Sequence, residues 1–399
     1  MIHARWWCLL ALTILGLPVL ADEPAAAPPT AAVTGPKPKP IEPPTAKEIQ
    51  RSIDRGIEFL LKHQHRDGSF GSANSSRPDE VYAPAPGAHQ GFKAAVTAMC
   101  IQALIETGGD RAEVTAAIDR AEAWLFEHLP KVRRATPDAF YNVWTHAYSI
   151  QCLVRMLDRK PDDVERRRRI RKLIDQQIDM LGRYEVVDGG WAYYDFNAHT
   201  QKPSGSTISF VTAAVLVALH QARGAGVEVP QRLIDRGVAS IRRQRNPDFS
   251  YLYGAHHTYH PARPIDRPGG SLGRSQACNL ATRIWGDKLV TDEVLKTWLD
   301  RLFARNVWLD IGRKRPIPHE SWFQVAGYFY YFGHYYAALC IEQLPAAERP
   351  RFQGYLAHTL LRVQEKDGSW WDFPLYDYHQ AYGTAFAIMS LERTLKKVR

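Results

Sequence analysis

Cysteine is scarce in this 399-residue chain, with five in all, and other features are missing altogether. The leading apolar run, Trp6 to Leu20, falls short of the about 20 residues that a membrane-spanning helix needs, which argues against an anchor. Cys8 follows Arg5-Trp6-Trp7, a context unlike a lipid-attachment site. The net charge of +9 gathers partly in Arg166-Arg167-Arg168-Arg169 with Arg171 and Lys172. A nucleic-acid surface would need aromatic or motif support for its basic face, and none accompanies this run, so no nucleic-acid partner is expected. The run reads as the solvated face of an outer helix, with some attraction to anionic surfaces such as a membrane or cell envelope.

What is present at the N-terminus has the order of a secretory signal. Arg5 precedes the apolar run, and Val19-Leu20-Ala21 supplies a cleavage site before Asp22. A signal peptide over residues 1–21 and a periplasmic or extracellular location are the expectation. Residues 22–46 are rich in Pro and Ala without a hydrophobic period, which reads as a stiff, disordered tether outside the fold. Four cysteines then remain: Cys100, Cys152, Cys278 and Cys340. An even count in an exported chain permits disulfides. Each one, however, sits in or beside an apolar helical stretch, so the reading adopted is buried free thiols.

From residue 47 onward the chain alternates two kinds of helical segment. Segments near 47–64, 111–130, 162–183, 229–245, 291–307 and 347–365 are amphipathic, as Ile53, Ile57, Leu60 and Leu61 show. Between them, segments near 91–107, 141–157, 206–223, 272–285, 325–343 and 379–396 are apolar nearly all round. A helix without a polar face must be buried on most sides. The alternation therefore predicts two concentric rings of six helices around a cavity, built from six helical hairpins repeating at intervals of roughly 55–65 residues. The first halves of the repeat are clearest at Ile53-Asp54-Arg55-Gly56, Ile118-Asp119-Arg120-Ala121 and Ile234-Asp235-Arg236-Gly237. Loops 65–90, 184–205, 246–271 and 366–378 are the longest, and long loops are where function concentrates.

Two local signatures recur at opposite ends of the chain. Arg55-Gly56 leads to Gln64 and Asp67-Gly68-Ser69-Phe70; Gly354 leads to Gln364 and Asp367-Gly368-Ser369-Trp370. A degenerate copy is Asp188-Gly189-Gly190-Trp191, and Arg236-Gly237 through Gln244 opens a fourth. In the two full copies, Gln caps the outer helix and the Gly turn lets an aromatic ring fold back over it. This pattern resembles the Gln-Trp repeat of squalene/hopene cyclases and the related repeat of protein prenyltransferase β subunits. The resemblance implies an all-α, α/α-toroid fold over residues 47–399, with six inner and six outer helices and an aromatic-lined pocket. It implies less about activity. The cyclases' Asp-x-Asp-Asp cluster has no counterpart, since Asp162-Asp163 lies in a hydrophilic turn. Where the prenyltransferases' zinc-binding Asp-x-Cys pair would fall stand Leu280 and Thr282, which cannot form a thiolate site. Tyr378-His379-Gln380-Ala381-Tyr382 resembles the family's later His segment. One ligand of three makes no site, so neither a metal nor another cofactor is expected.

The candidate catalytic residues are His146, His334, Asp377, His379 and Tyr382; the candidate ligand-binding residues are Trp191, Tyr194, Asp195, Arg274, Tyr148 and Tyr336. His146-Ala147-Tyr148 with Cys152 recurs as His334-Tyr335-Tyr336 with Cys340, which places both pairs in one register. Two imidazoles lining a cavity could move protons near neutral pH. Equally, they could be core histidines bonded to neighbouring turns. Asp377 and His379 precede the last inner helix, either as an acid/base pair or as a cap. Trp191, Tyr193, Tyr194 and Asp195 could stabilise cations, stack on sugars or simply pack the barrel end. Arg274 follows a Gly-rich approach and suits an anion, with Lys93 as helper or rim charge. His256, His257 and His260 stand beside Pro261 and Pro264 and read as a solvent-exposed loop.

Three functions compete. The first is an exported relative of the cyclases and prenyltransferases that acts on or binds an apolar, isoprenoid-type molecule. The second is a noncatalytic binding or scaffold protein. The third is a carbohydrate-active enzyme that pairs Asp195 with Glu320 or Asp377.

Overall fold

The computed structural model describes residues 27–77, 86–133, 142–193, 203, 206–260 and 262–395. Among these, the helices in chain order are α1 (Thr30–Val33), α2 (Ala46–His63), α3 (Pro86–Thr107), α4 (Ala112–His128), α5 (Asn142–Arg159), α6 (Val164–Tyr184) and α7 (Ser209–Gly224). They continue with α8 (Gln231–Arg243), α9 (Leu272–Ile284), α10 (Asp292–Ala304), α11 (Asn306–Asp310), α12 (Phe329–Glu342), α13 (Arg349–Leu361) and α14 (His379–Leu395). No β-strand longer than an isolated bridge occurs among the described residues.

The inner ring closes. α3 packs on α5, α5 on α7, α7 on α9, α9 on α12, α12 on α14, and α14 returns to α3. Outside it lie α2, α4, α6, α8, α10 and α13, each packed on one or two inner helices. Hydrophobicity sorts the helices into these rings. α7 buries twelve of its sixteen residues, which only an inner place permits, whereas α8 buries a stripe of six in thirteen and leaves its other face to water. The fold is an α/α toroid.

Three of the repeats are tied to their neighbours by one device, and the device explains both halves of the sequence signature. Gln64 ends α2, and its amide donates to Gly68 O at 3.0 Å and to Ala117 O of the next outer helix at 2.8 Å. Gln364 does the same to Gly368 O at 2.9 Å and to Ser52 O at 3.0 Å, which joins α13 to α2 and seals the outer ring. The Arg of the Ile-Asp-Arg segment then grips that Gln: Arg120 bonds Gln64 Oε1 at 2.5 Å and Arg55 bonds Gln364 Oε1 at 3.1 Å. In the third repeat Glu185 replaces Gln and Arg236 grips it at 2.6 Å.

The aromatic residue of each Gly turn hangs its backbone N–H on an inner-helix threonine. Phe70 uses Thr97, Trp191 uses Thr212 and Trp370 uses Thr384, at 2.9–3.1 Å. The Trp rings land on the glycine of the next Ile-Asp-Arg-Gly segment. A Cβ on Gly56 would lie 2.9 Å from Trp370 and 2.5 Å from Ile388. A fourth turn hides in Asp248-Phe249-Ser250-Tyr251, where Ser250 bonds Asp248 through N–H and hydroxyl at 3.0 and 2.6 Å. Phe249 takes a left-handed φ of 62° where the other copies have glycine at 88–92°, which is why the pattern is hard to see in the sequence.

One expectation changes. The stretch 22–46 was read as a tether outside the fold, yet from residue 27 onward it is a strap docked on the outer ring. Ala32 is fully buried, Arg301 of α10 donates to Ala31 O and Thr34 O at 2.8 and 2.7 Å, and Lys37 pairs with Asp300 at 2.6 Å. Further on, Tyr355 of α13 donates to Lys39 O at 3.1 Å. Proline removes backbone donors, and the remaining carbonyls find their partners on the barrel. The four cysteines are buried and unpaired. All sit on inner helices, and burial raises each thiol's pKa.

Candidate functional site

A cavity of about 730 Å³ opens at one end of the inner ring. Its wall follows helical spacing: Phe92, Ala95, Val96 and Met99 from α3, Trp144 and Tyr148 from α5, Phe210 from α7, Phe329 and Phe332 from α12, Tyr382 and Phe386 from α14. The rings meet edge to face. Phe210 sits 4.8 Å from Phe329 and 5.7 Å from Phe332, and Tyr148 lies 5.7 Å from Phe386. Such arrangements favour mixed aromatic walls over a collapsed stack.

The mouth is polar and comes from loops. Ser206, Tyr253, His256, His257, Arg263, His319, Gln324 and Tyr328 line it. Tyr253 OH contacts Tyr193 OH and lies 3.3 Å from Tyr328 OH, which in turn is 3.1 Å from His319 Nε2. His257 Nδ1 is 2.7 Å from the buried Asp266, and Arg263 donates to His257 Nε2 at 3.2 Å. His319, Phe323 and Gln324 all hold left-handed φ values of 55–65°. Non-glycine residues in that region store strain and cluster where a loop is held for use. No carboxylate occurs among the described lining residues.

One acid stands just behind the wall. Asp372 is fully buried in the loop after the last Gly turn. It accepts from Tyr382 OH at 2.7 Å and from the Tyr331 N–H in the first turn of α12 at 3.0 Å. Burial pushes its pKa up to about 7, against those two hydrogen bonds and the Arg313 charge. Tyr382, whose own pKa rises through burial, carries this acid's hydrogen bond to the cavity surface.

The structure distributes the sequence candidates unevenly. Tyr148 and Tyr382 line the cavity. His146 does not: it is buried outward against α6, with Nδ1 2.7 Å from Gln177 Oε1, and burial lowers its pKa to about 4. His334 is also outside, with Nδ1 2.7 Å from Tyr330 O and Nε2 receiving Asn306 at 2.9 Å, and it too falls to about 4 through burial. Helix geometry gives the reason. Residues i and i+2 stand about 200° apart, so His146 cannot face the way Tyr148 faces. Tyr336 is buried behind Phe332 and does not reach the cavity surface.

Asp377 and His379 form no pair. Asp377 is exposed and accepts from Ser72 at 3.0 Å, while His379 Nδ1 lies 2.6 Å from Tyr376 O. Trp191 is a fully buried repeat wedge whose indole N–H bonds Leu181 O at 2.8 Å. Tyr194 and Asp195 lie outside the described residues. Arg274 binds no anion from solvent. It is fully buried and donates to Tyr251 O at 2.9 Å, Gly270 O at 3.1 Å, Ile265 O, and Asp266 at 3.4 Å. Its work is to tie loop 251–270 to α9. Lys93 pairs with Asp67 at 3.4 Å, away from the cavity. The histidine loop, read as solvent-exposed, contributes His256 and His257 to the mouth, where His257 is buried while His256 and His260 stay exposed. The sequence signal for this was weak, because the partners Asp266 and Arg274 lie 9 and 17 positions downstream of His257.

No family model matches the chain, and neither does any curated protein. Solved structures do. An α-1,6-mannanase of family GH76 from Salegentibacter sp. HEL1_6 superposes with TM-score 0.53 at 11% identity, covering 87% of this chain and 100% of that one. An unsaturated glucuronyl hydrolase specific for heparin gives TM-score 0.54 at 12% identity, covering 88% and 97%. The type II terpene cyclase MstE from Scytonema reaches 0.48 at 15% identity over 88% and 99%, a value too low to carry an argument. What these proteins share with this chain is the toroid itself.

Proposed function

We propose that the chain is an exported toroid protein that binds an apolar, isoprenoid-type molecule in the central cavity, with the molecule's polar end at the histidine and tyrosine mouth. The make-up of the wall carries this reading: five inner helices contribute aromatic rings, and no carboxylate occurs among the described lining residues. Each methylene-sized group moved from water into such a wall contributes about 0.8 kcal/mol, so a branched hydrocarbon gains with every carbon it inserts. The polar mouth then sets which end enters first.

A second reading, a carbohydrate-active enzyme, is favoured by the same rings, which can stack on sugars, and by a barrel shared with a mannanase and a glucuronyl hydrolase. It needs two carboxylates facing each other across the cleft. Of the candidates, Asp377 is turned to Ser72, Glu320 lies 3.8 Å from Arg315, and Asp195 is outside the described residues.

Tryptophan fluorescence titration of the mature protein with farnesol and, separately, with α-1,6-mannotriose tests the choice. Farnesol should quench saturably, and Trp144→Ala should weaken it about tenfold, or ~1.4 kcal/mol, without lowering the melting temperature by more than a few degrees. Saturable mannotriose binding with no response to farnesol would replace the first reading by the second. Export is checked by N-terminal sequencing of the processed chain, expected to begin at Asp22.

A further inference from the structure

We propose that His257 is a general base at the cavity mouth, oriented by Asp266, and that the chain hydrolyses esters of apolar acids. This rests on the reading of the central cavity as the ligand site. The geometry starts with Asp266, whose side chain has no solvent exposure. Its Oδ2 lies 2.7 Å from His257 Nδ1, and its Oδ1 accepts the Tyr253 N–H at 2.7 Å with Arg274 at 3.4 Å. Both carboxylate oxygens are thus fixed, and the imidazole must donate from Nδ1.

That leaves the lone pair on Nε2, where Arg263 donates at 3.2 Å. The partners assign the tautomer, and they assign it as a base needs: the proton on the carboxylate side, the lone pair toward the cavity. Arg263 is exposed, and this is the side-chain hydrogen bond its guanidinium makes among the described residues, so a water can take its place. A loop stitch would need the Asp266 contact alone. It would not need an imidazole on the cavity surface with its second nitrogen turned to an exposed cation.

The chemistry of the surroundings selects the reaction. The four described cysteines are buried in the inner helices, and Ser206 is engaged with His256 at 3.0 Å and not with His257. The nucleophile that His257 activates is therefore water. Its proton passes to His257 Nε2 as its oxygen bonds to the ester carbonyl carbon, and Arg263 faces the oxyanion that develops. The bond from that carbon to the alcohol oxygen then breaks. The departing oxygen takes the proton from the imidazolium, and one acid and one alcohol leave for each ester and water consumed. The aromatic cavity holds the apolar acyl chain.

The mature chain assayed with p-nitrophenyl decanoate and p-nitrophenyl acetate tests this. Decanoate should be hydrolysed with the higher kcat/KM. His257→Gln, which can still donate an amide proton to Asp266, should lose about 10²–10⁴ of kcat while keeping its melting temperature. His257→Ala should recover part of the rate on adding imidazole, which a stitching role would not allow. Asp266→Asn should lower kcat with KM unchanged, as befits a positioning residue. Undiminished hydrolysis by His257→Gln, or no decanoate hydrolysis by a protein that still binds farnesol, overturns the proposal and leaves the binding reading standing. Loss of both farnesol binding and hydrolysis takes down both.

Discussion

Asp372 should make this protein less stable as pH rises from 5 to 8, and the size of the effect follows from its surroundings. Its pKa goes from an ordinary 3.8 to about 7 in the folded chain because burial penalises the carboxylate more than Tyr382, Tyr331 and Arg313 favour it. Between those values the folded state holds a proton that the unfolded state has released. Stability is therefore fully supported below the unfolded pKa and lost as pH rises through the folded one. At 1.36 kcal/mol per pKa unit, the interval from pH 5 to 7 corresponds to about 3 kcal/mol. His146 and His334 work the other way. Their folded pKa values of about 4 mean stability present above the ordinary imidazole value and lost as pH falls toward 4. A bare pH profile of the wild type would mix the two effects. Asp372→Asn removes one of them and leaves the histidines untouched. Urea denaturation followed by tryptophan fluorescence at pH 5 and pH 8, in both proteins, isolates the acid. The wild type should lose about 3 kcal/mol more than Asp372→Asn on going to pH 8. Equal losses would mean that Asp372 is ionised in the folded protein and that its hydrogen bond to Tyr382 is no proton store at the cavity wall.

Gly56→Ala should destabilise by about 1–3 kcal/mol despite alanine's better helix propensity, because its Cβ meets Ile388 at 2.5 Å and Trp370 at 2.9 Å. Adding Trp370→Phe should restore part of the loss in thermal melts, since it shortens the ring that lands there; an unaltered double mutant would refute the wedge. Arg301→Leu should free the N-terminal strap by removing its bonds to Ala31 O and Thr34 O. Limited proteolysis should then cut near residue 35 while the barrel stays intact, with a cost of about 2–4 kcal/mol in denaturation. An uncut strap would show that Lys37, Tyr355 and packing at Ala32 suffice to hold it.

The sequence by itself settled the architecture. Six amphipathic segments alternating with six that are apolar all round admit few arrangements, because the second kind must be surrounded, and the Gln, Arg and Gly of the repeat announce a device that closes one hairpin on the next. Tyr148 and Tyr382 were also within reach, since inner helices must present some aromatic face to a cavity. Tertiary structure alone decided which face that is. One residue known to point inward fixes the rest of its helix at about 100° per residue, and without that anchor His146 and His334 were as good candidates as their tyrosine neighbours. The mouth was beyond the pattern for a different reason. His257, Arg263 and Asp266 belong to a loop whose periodicity says nothing, and Asp372 lies in another such loop, just past a repeat turn. The same holds for the strap, whose proline-rich composition matches a free linker until the carbonyls meet Arg301. Helices carry their burial in their spacing; loops acquire theirs only when the barrel brings distant donors and acceptors within 3 Å of one another.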